Sequence, residues 1–309
     1  MNANLRIATR KSQLALWQAG HVSELLRAAH PGLEVELVPL LTQGDRIQDR
    51  SLAAIGGKGL FIKELEVAIE DLRADIAVHS MKDVPAELPN GLMIAAVLKR
   101  ADPRDALVAN STITRFEDLP RGAVVGTSSL RRQAQLCALR PDLKIVPLRG
   151  NVDTRLRKLD AGDMQAIVLA CAGLIRLGLE SRIAARLDTK VCVPAVTQGV
   201  IGIECRTSDA RTRALLAVLE HAPTRLTMEA ERAFAARLGG SCQSPIAAFA
   251  ELDGGTIALH GLVAEPDGSR LLRDTLSASA ENPAALGKQL AERILAAGAG
   301  PLLERLRSA

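Results

Sequence analysis

The sequence predicts an α/β protein with mainly parallel sheets, closed by a small C-terminal α+β domain with an antiparallel sheet. Three observations predict it. Through the first two thirds, short apolar runs alternate with amphipathic helical stretches. In the last third, strand-like runs follow one another directly across hairpin turns. Finally, the 309 residues are 48% apolar and 24% charged, an ordinary globular composition with length for about two domains. Disordered, collagen-like and disulfide-scaffold classes are excluded.

Leu5–Ala8 reads as the first strand. Ser12 then caps a helix running to about His30, with Leu14, Trp17, Val22 and Leu25 near helical spacing. Val35–Leu41 reads as a strand, Leu60–Arg73 as a helix and Ile76–His79 as a third strand; Met93–Leu98 and Ala106–Ala109 continue the pattern. Beyond a turn at Leu119–Gly122, strand Ala123–Gly126 leads to helix Ser129–Leu139. Strand Lys144–Leu148 leads likewise to helix Val152–Asp160, and strand Ala166–Ala170 to helix Leu174–Leu177. Strands separated by helices form βαβ units, which run parallel.

Two helical runs, Asp209–His221 and Leu226–Leu238, open the last third and end at a Gly-rich turn, Gly239–Ser241. Ile246–Leu252, Thr256–Val263 and Arg270–Leu276 read as strands joined at Asp253-Gly254-Gly255 and Pro266-Asp267-Gly268. A final helix spans about Ala284–Ala297, and no internal repeat is visible.

Composition narrows function only partly. Aromatics are 2%, with one Trp, four Phe and no Tyr, which argues against a stacking platform for single-stranded nucleic acid. A net charge of +4 suits nucleic acid, a membrane surface or small anions without choosing among them. The cysteines (Cys137, Cys171, Cys192, Cys205 and Cys242) are odd in number and form no CxxC pair or Cys/His cluster. Neither a disulfide framework nor a metal site is expected. With no leader-like start and no apolar run near ~20 residues, the expected location is cytoplasmic, without a membrane partner.

Four stretches carry candidate chemistry. In Gly126-Thr127-Ser128-Ser129-Leu130-Arg131-Arg132 a strand ends in hydroxyl residues and opens a helix, whose free N–H groups favour anions. Adjacent guanidiniums strengthen that preference; the plain alternative is a capped helix with solvated arginines. Leu148-Arg149-Gly150-Asn151 through Arg155 repeats the arrangement. From Gly126 to Lys158 the bases Arg131, Arg132, Arg140, Lys144, Arg149, Arg155, Arg157 and Lys158 face only the acids Asp142 and Asp153. Two such turns in one parallel sheet share its carboxyl edge, where ligands bind, which favours a polyanion pocket over a solvated face.

In Val78-His79-Ser80-Met81-Lys82-Asp83-Val84-Pro85 an apolar strand ends in a charged loop. Asp83 suits acid–base work or stabilisation of a cation, and equally a surface ion pair with Lys82. His79, in strand phase with Ala77, reads as a core histidine. In Leu238-Gly239-Gly240-Ser241-Cys242 a thiol sits in a flexible turn, placed for access rather than packing, with no histidine close in sequence to activate it. Gly56-Gly57-Lys58-Gly59 imitates a phosphate loop without its spacing.

Taken together, these stretches resemble the porphobilinogen deaminase family, from near residue 4 to near the C-terminus. The resemblance rests on Arg6-Ile-Ala-Thr-Arg10 with Ser12 and Gln18, Gly56-Gly-Lys-Gly-Leu-Phe61 and Val78-His-Ser-Met-Lys-Asp-Val-Pro85. Gly126-Thr-Ser-Ser-Leu-Arg-Arg132, Leu148-Arg-Gly-Asn151, Pro194-Ala195 with Gln198-Gly199, and Glu231-Arg232 with Gly240-Ser-Cys242 complete it. It implies a cytoplasmic, monomeric hydroxymethylbilane synthase of tetrapyrrole (haem) biosynthesis. Such an enzyme condenses four molecules of porphobilinogen into linear hydroxymethylbilane, losing ammonia each time. It implies too a dipyrromethane cofactor joined to Cys242 by a thioether. By the same implication Asp83 assists deamination and stabilises electron-poor and protonated pyrroles. Lys82, Asp83, Thr127, Ser129, Arg131, Arg132, Arg149 and Arg155 hold the cofactor; Arg10, Ser12, Gln18, Arg149, Arg155 and Arg176 hold substrate; Lys58 belongs to a lid loop. The implied fold has two lobes like periplasmic binding proteins, residues 1–98 with 199–217 and 104–193, with the active site between them. A third domain, 222–309, carries the cysteine.

Three departures stand out: Ala54 where many relatives have lysine, Thr197 where Gly or Ala is usual, and Ser244 in place of a β-branched residue. Two other readings compete. A non-catalytic anion-binding module explains the two-lobed pattern but leaves the Cys242 turn without a role. Nucleic-acid binding through Arg131–Lys158 sits poorly with few aromatics and modest charge.

Overall fold

The computed structural model describes residues 4–46, 59–110, 113–240 and 244–308. They group into two compact units, residues 1–101 with 199–225 and residues 102–198 with 226–309. The first begins with β1 (Asn4–Arg10), α1 (Gln13–Ala29), β2 (Glu34–Leu40), a single helical turn α2 (Gln43–Arg46), α3 (Lys63–Glu70), β3 (Ile76–Ser80) and β4 (Leu92–Val97). The second follows with β5 (Asp105–Ala109), β6 (Val124–Gly126), α4 (Leu130–Leu139), β7 (Lys144–Val146), α5 (Val152–Asp160), β8 (Ala166–Ala170), α6 (Cys171–Arg176) and β9 (Ala185–Leu187). The chain returns to the first unit for β10 (Ile201–Arg206) and α7 (Ala210–Leu216). Then come α8 (Ala222–Arg237), β11 (Ile246–Asp253), β12 (Thr256–Ala264), β13 (Leu271–Ser279), α9 (Pro283–Ile294) and α10 (Gly300–Ser308).

The two five-stranded sheets share one plan, with orders β2-β1-β3-β10-β4 and β7-β6-β8-β5-β9. In each, three neighbouring strands are parallel, and a strand from outside that run, β10 after it or β5 before it, joins antiparallel beside them. The sheets are therefore mixed, with their parallel halves where the βαβ pattern lies. A topological repeat exists without a sequence repeat because burial requires a hydrophobic period, not particular residues.

That period is visible strand by strand. Leu5 and Ile7 of β1, with Ile76 and Val78 of β3, pack against Val22 and Leu26 of α1. The alternate residues Ala8 and Ala77 face Leu65 and Ile69 of α3. In the second unit, Leu107, Val125 and Val168 lie with Leu136 of α4, and Ala106, Val108 and Ile167 with Leu156 and Leu159 of α5. Period-2 strands buried on both faces need helices on both sides, which the crossovers supply.

The third sheet, β11-β12-β13, is wholly antiparallel. One face packs Ala248, Ile257 and Leu259 on Phe234, Leu290 and Leu302. The other sets Phe249 and Leu262 against Ala134 of α4 and Val193, so this sheet belongs to the compact unit that holds α4.

Candidate active site

Because β1, β2 and β3 are parallel, their carboxyl ends share one edge of the first sheet. That edge gathers Arg10, Ser12, Gln18, Lys82 and Asp83. Ser12 caps α1 by accepting from the Ala15 amide at 3.3 Å. Gln18 is buried one turn further on, and its Nε2 donates to Ser80 Oγ at 2.9 Å. Arg10 forks onto Asp45 and lies over the Phe61 ring.

Past β3 the chain makes a tight helical turn, Met81–Asp83, that carries the two charged candidates. Its anchor is Met81, whose amide donates to Val200 O at 3.0 Å and whose side chain is buried on β10. Gly202 makes this possible: a Cβ there would lie 2.1 Å from Met81 Sδ. Lys82 and Asp83 are left half-buried at the edge. His79 is a core histidine, its Nε2 2.8 Å from Glu204 Oε2. Burial, reinforced by Glu204 nearby, pushes the Glu66 carboxyl up to about 7, against an opposing pull from His79.

In the second unit the parallel strands β7, β6 and β8 end at one edge. The β6–α4 and β7–α5 turns are tied by Ser128, whose Oγ donates to Leu148 O and accepts from Leu148 N, each at 2.9 Å. Thr127 Oγ1 accepts from the Ser129 amide, and Ser129 caps α4. Arg149 and Arg155 are half-buried at the second turn, with Arg155 Nε donating to Gly150 O at 2.8 Å. Arg176 closes α6, and burial lowers its guanidinium to about 10, still charged at neutral pH.

Arg131 and Arg132 turn inward. They are 4% and 6% exposed and converge on Asp105, a wholly buried residue at the start of β5. Arg131 Nη1 reaches Oδ2 at 2.7 Å and Arg132 Nη2 reaches Oδ1 at 2.7 Å. Gln198 Nε2 adds a third donor to Oδ1 at 3.0 Å. Burial alone would raise the Asp105 carboxyl, but the two guanidiniums hold it far below the carboxylate range. Two cations and one anion leave the α4 turn net positive, so it still favours anions through its field rather than through these two buried side chains. Asp105 escaped the sequence reading; its one signal was an acid opening an apolar strand.

Cys242, Lys58, Ala54 and the Gly56-Gly57-Lys58 run lie outside the described residues. Thr197 is described: it adopts φ +60, a region that suits glycine, and its amide donates to the buried Glu231 Oε2 at 2.6 Å. Among the described residues no helix is long and apolar enough to cross a membrane. No His, Cys, Asp and Glu side chains among them form a cluster suited to a metal ion.

The fold defines an α/β protein whose parallel strand ends gather arginine, lysine and hydroxyl side chains. Residues 5–214 match the family model described as porphobilinogen deaminase, dipyromethane cofactor binding domain, and residues 225–296 match porphobilinogen deaminase, C-terminal domain. Among solved structures, similarity extends to the Escherichia coli periplasmic aliphatic sulphonate binding protein SsuA: 15% identity, 76% of this chain, 75% of that chain, TM-score 0.40. A TRAP periplasmic solute binding protein from Desulfovibrio salexigens gives 12% identity, 71% and 73% coverage and TM-score 0.42. The chain belongs to the porphobilinogen deaminase family, transferases that form a linear tetrapyrrole, and contains that family's dipyrromethane cofactor-binding domain.

Proposed function

We propose that the protein is a hydroxymethylbilane synthase, condensing four porphobilinogen molecules into linear hydroxymethylbilane with loss of ammonia at each step. The observation that carries this reading is Asp83, held half-buried on a turn that Met81 pins to the sheet. A carboxylate fixed in advance where positive charge develops costs no reorganisation during the reaction. On this reading Asp83 stabilises the cation that forms as the protonated amine departs, and accepts a proton when the new ring is attacked.

The dipyrromethane, bound through Cys242, supplies the pyrrole carbon nucleophile that primes the chain. The donor chemistry suits its carboxylates: Lys82 in the first unit, and Thr127, Ser129, Arg131, Arg132, Arg149 and Arg155 around the net-positive turns of the second. Arg10, Ser12, Gln18 and Arg176, with Arg149 and Arg155, bind incoming substrate, and Lys58 acts from a lid loop. We assign the three domains as 1–98 with 199–217, 104–193 and 222–309, and a monomer acting in the cytoplasm.

Intact mass tests the reading directly. Purified protein is expected to carry two porphobilinogen-derived rings that Cys242→Ser lacks. Porphobilinogen is then expected to add further rings to the wild type, with Asp83→Asn stalling this by about 100-fold or more, within the range of acid–base groups. A protein that gains no mass from porphobilinogen refutes the proposal.

A further inference from the structure

Two segments well separated from β1 in sequence close around the Arg10 side chain. From the side comes Asp45, in the turn α2: Arg10 Nε donates to Oδ2 at 3.2 Å, and Nη2 donates to Oδ1. Asp45 is itself fixed by Thr42, whose Oγ1 donates to Oδ2 at 2.7 Å. Burial alone would raise this carboxyl; hydrogen bonds from Arg10 and Thr42 outweigh it and leave Asp45 below its ordinary range. Phe61, just ahead of α3, lies 4.3 Å from Arg10 Cζ to its ring centroid. The ring needs the space at Gly44, where a Cβ would fall 2.3 Å from it.

A guanidinium has two bidentate edges, Nε–Nη2 at its side and Nη1–Nη2 at its end. Asp45 fills the side edge and the ring covers one face. Among the described residues nothing accepts from Nη1, which leaves the end edge for a ligand. We propose that Asp45 is a positioning residue: by holding the side edge of Arg10 it aims the end edge at one carboxylate of the incoming pyrrole. The assignment rests on Arg10 being a substrate group, as argued above.

The physical gain is conformational. A loose arginine must be ordered on binding, and its rotamer entropy corresponds to roughly 10–30-fold in affinity. Charge alone predicts the reverse, since deleting a carboxylate beside an anion site tightens anion binding. The sign of the effect therefore separates the two.

The test is Asp45→Asn, read as KM and kcat for porphobilinogen and as Kd, by calorimetry, for an analogue whose aminomethyl group is replaced by methyl. KM and Kd are expected to rise about 10–30-fold with kcat within about twofold of wild type, the cost of a disordered arginine. In an Arg10→Lys background, which has no fork to hold, Asp45→Asn is expected to change Kd less than about twofold. An unchanged or lower Kd overturns the proposal, as does an equal rise in the lysine background. If circular dichroism shows Asp45→Asn unfolded, Phe61→Leu replaces it: a Kd raised several-fold supports the positioning of Arg10, and an unchanged one overturns it. Wild type that converts no porphobilinogen overturns the functional reading as well, whereas active wild type with an unaffected variant overturns only the role of Asp45.

Discussion

Replacing Asp105 by Asn removes the negative charge from a site where two guanidiniums, an amide and the Cys192 thiol converge. The shape is kept, but the new carboxamide points N–H donors at groups that are donors themselves. Deleting one partner of a buried ion pair costs about 3–5 kcal/mol, because the other charge is left uncompensated. Here both Arg131 and Arg132 lose their counter-ion, which places the expectation near the top of that range. At about 2–4 °C per kcal/mol for a unit of this size, the melting temperature falls by about 10–15 °C. Thermal unfolding followed by circular dichroism at pH 7 reads it. The pH dependence has a definite sign. Asp105 is depressed in the folded protein, so its stabilisation is complete above the unfolded value of about 3.9 and lost as pH falls below it. The gap between wild type and variant should be flat from pH 8 to about 5 and narrow below about 4 by roughly 1 kcal/mol per unit. A melting temperature within about 3 °C of wild type at pH 7 would refute the reasoning.

Three further outcomes follow from other parts of the chain. Leu72 follows α3 at φ +59 and is 61% exposed, where the corresponding position after α5 is Gly162 at φ +85. Leu72→Gly should therefore raise the urea midpoint by the equivalent of about 1 kcal/mol, and Gly162→Ala lower it similarly. Glu66, raised to about 7 by burial and by Glu204, binds its proton more tightly folded than unfolded. Its contribution is full below about 4.5 and lost as pH rises through 7, so Glu66→Gln should gain stability over wild type at pH 8 and little at pH 4. Burial pushes the Cys171 and Cys192 thiols up to about 12 and Cys205 to about 11, so iodoacetamide at pH 8 should leave all three unmodified until denaturant is added.

The elements that the sequence revealed are those whose own residues carry the period: β1, α1, β3 and the β6–α4 and β7–α5 pairs. What it hid depends on partners far away. β10 pairs with β3 across more than a hundred residues; no local pattern says which sheet takes it, and only the family resemblance put 199–217 with the first lobe. The three-residue β9 is too short for a period. α10 was hidden by Gly298, which breaks the chain at φ +102 and made α9 read as the last helix. At the site, the Arg131–Arg132 pair was legible as an anion signal, but its first anion is Asp105, 26 positions upstream on another strand. Thr197 looked like a plain departure; its left-handed backbone gives the reason glycine suits that position.

The proposed chemistry makes opposed electrostatic demands. Each added ring brings two carboxylates, which call for cations; each lost ammonia leaves a cation, which calls for an anion. In the first unit the two cations assigned to substrate and cofactor each have an acid beside them, Asp45 at Arg10 and Asp83 next to Lys82. In the second unit Asp105 carries one negative charge against the two arginines it holds. On the proposed function, carboxylate-bearing substituents are drawn to that excess. On the same proposal, a further cation beside Asp83 would raise the barrier to expelling the amine, by Coulombic repulsion of about 4 kcal/mol at 4 Å near a protein surface. Ser80→Lys, which adds one, should then lower kcat more than it improves KM; a variant with lower KM and unchanged kcat would refute this electrostatic account.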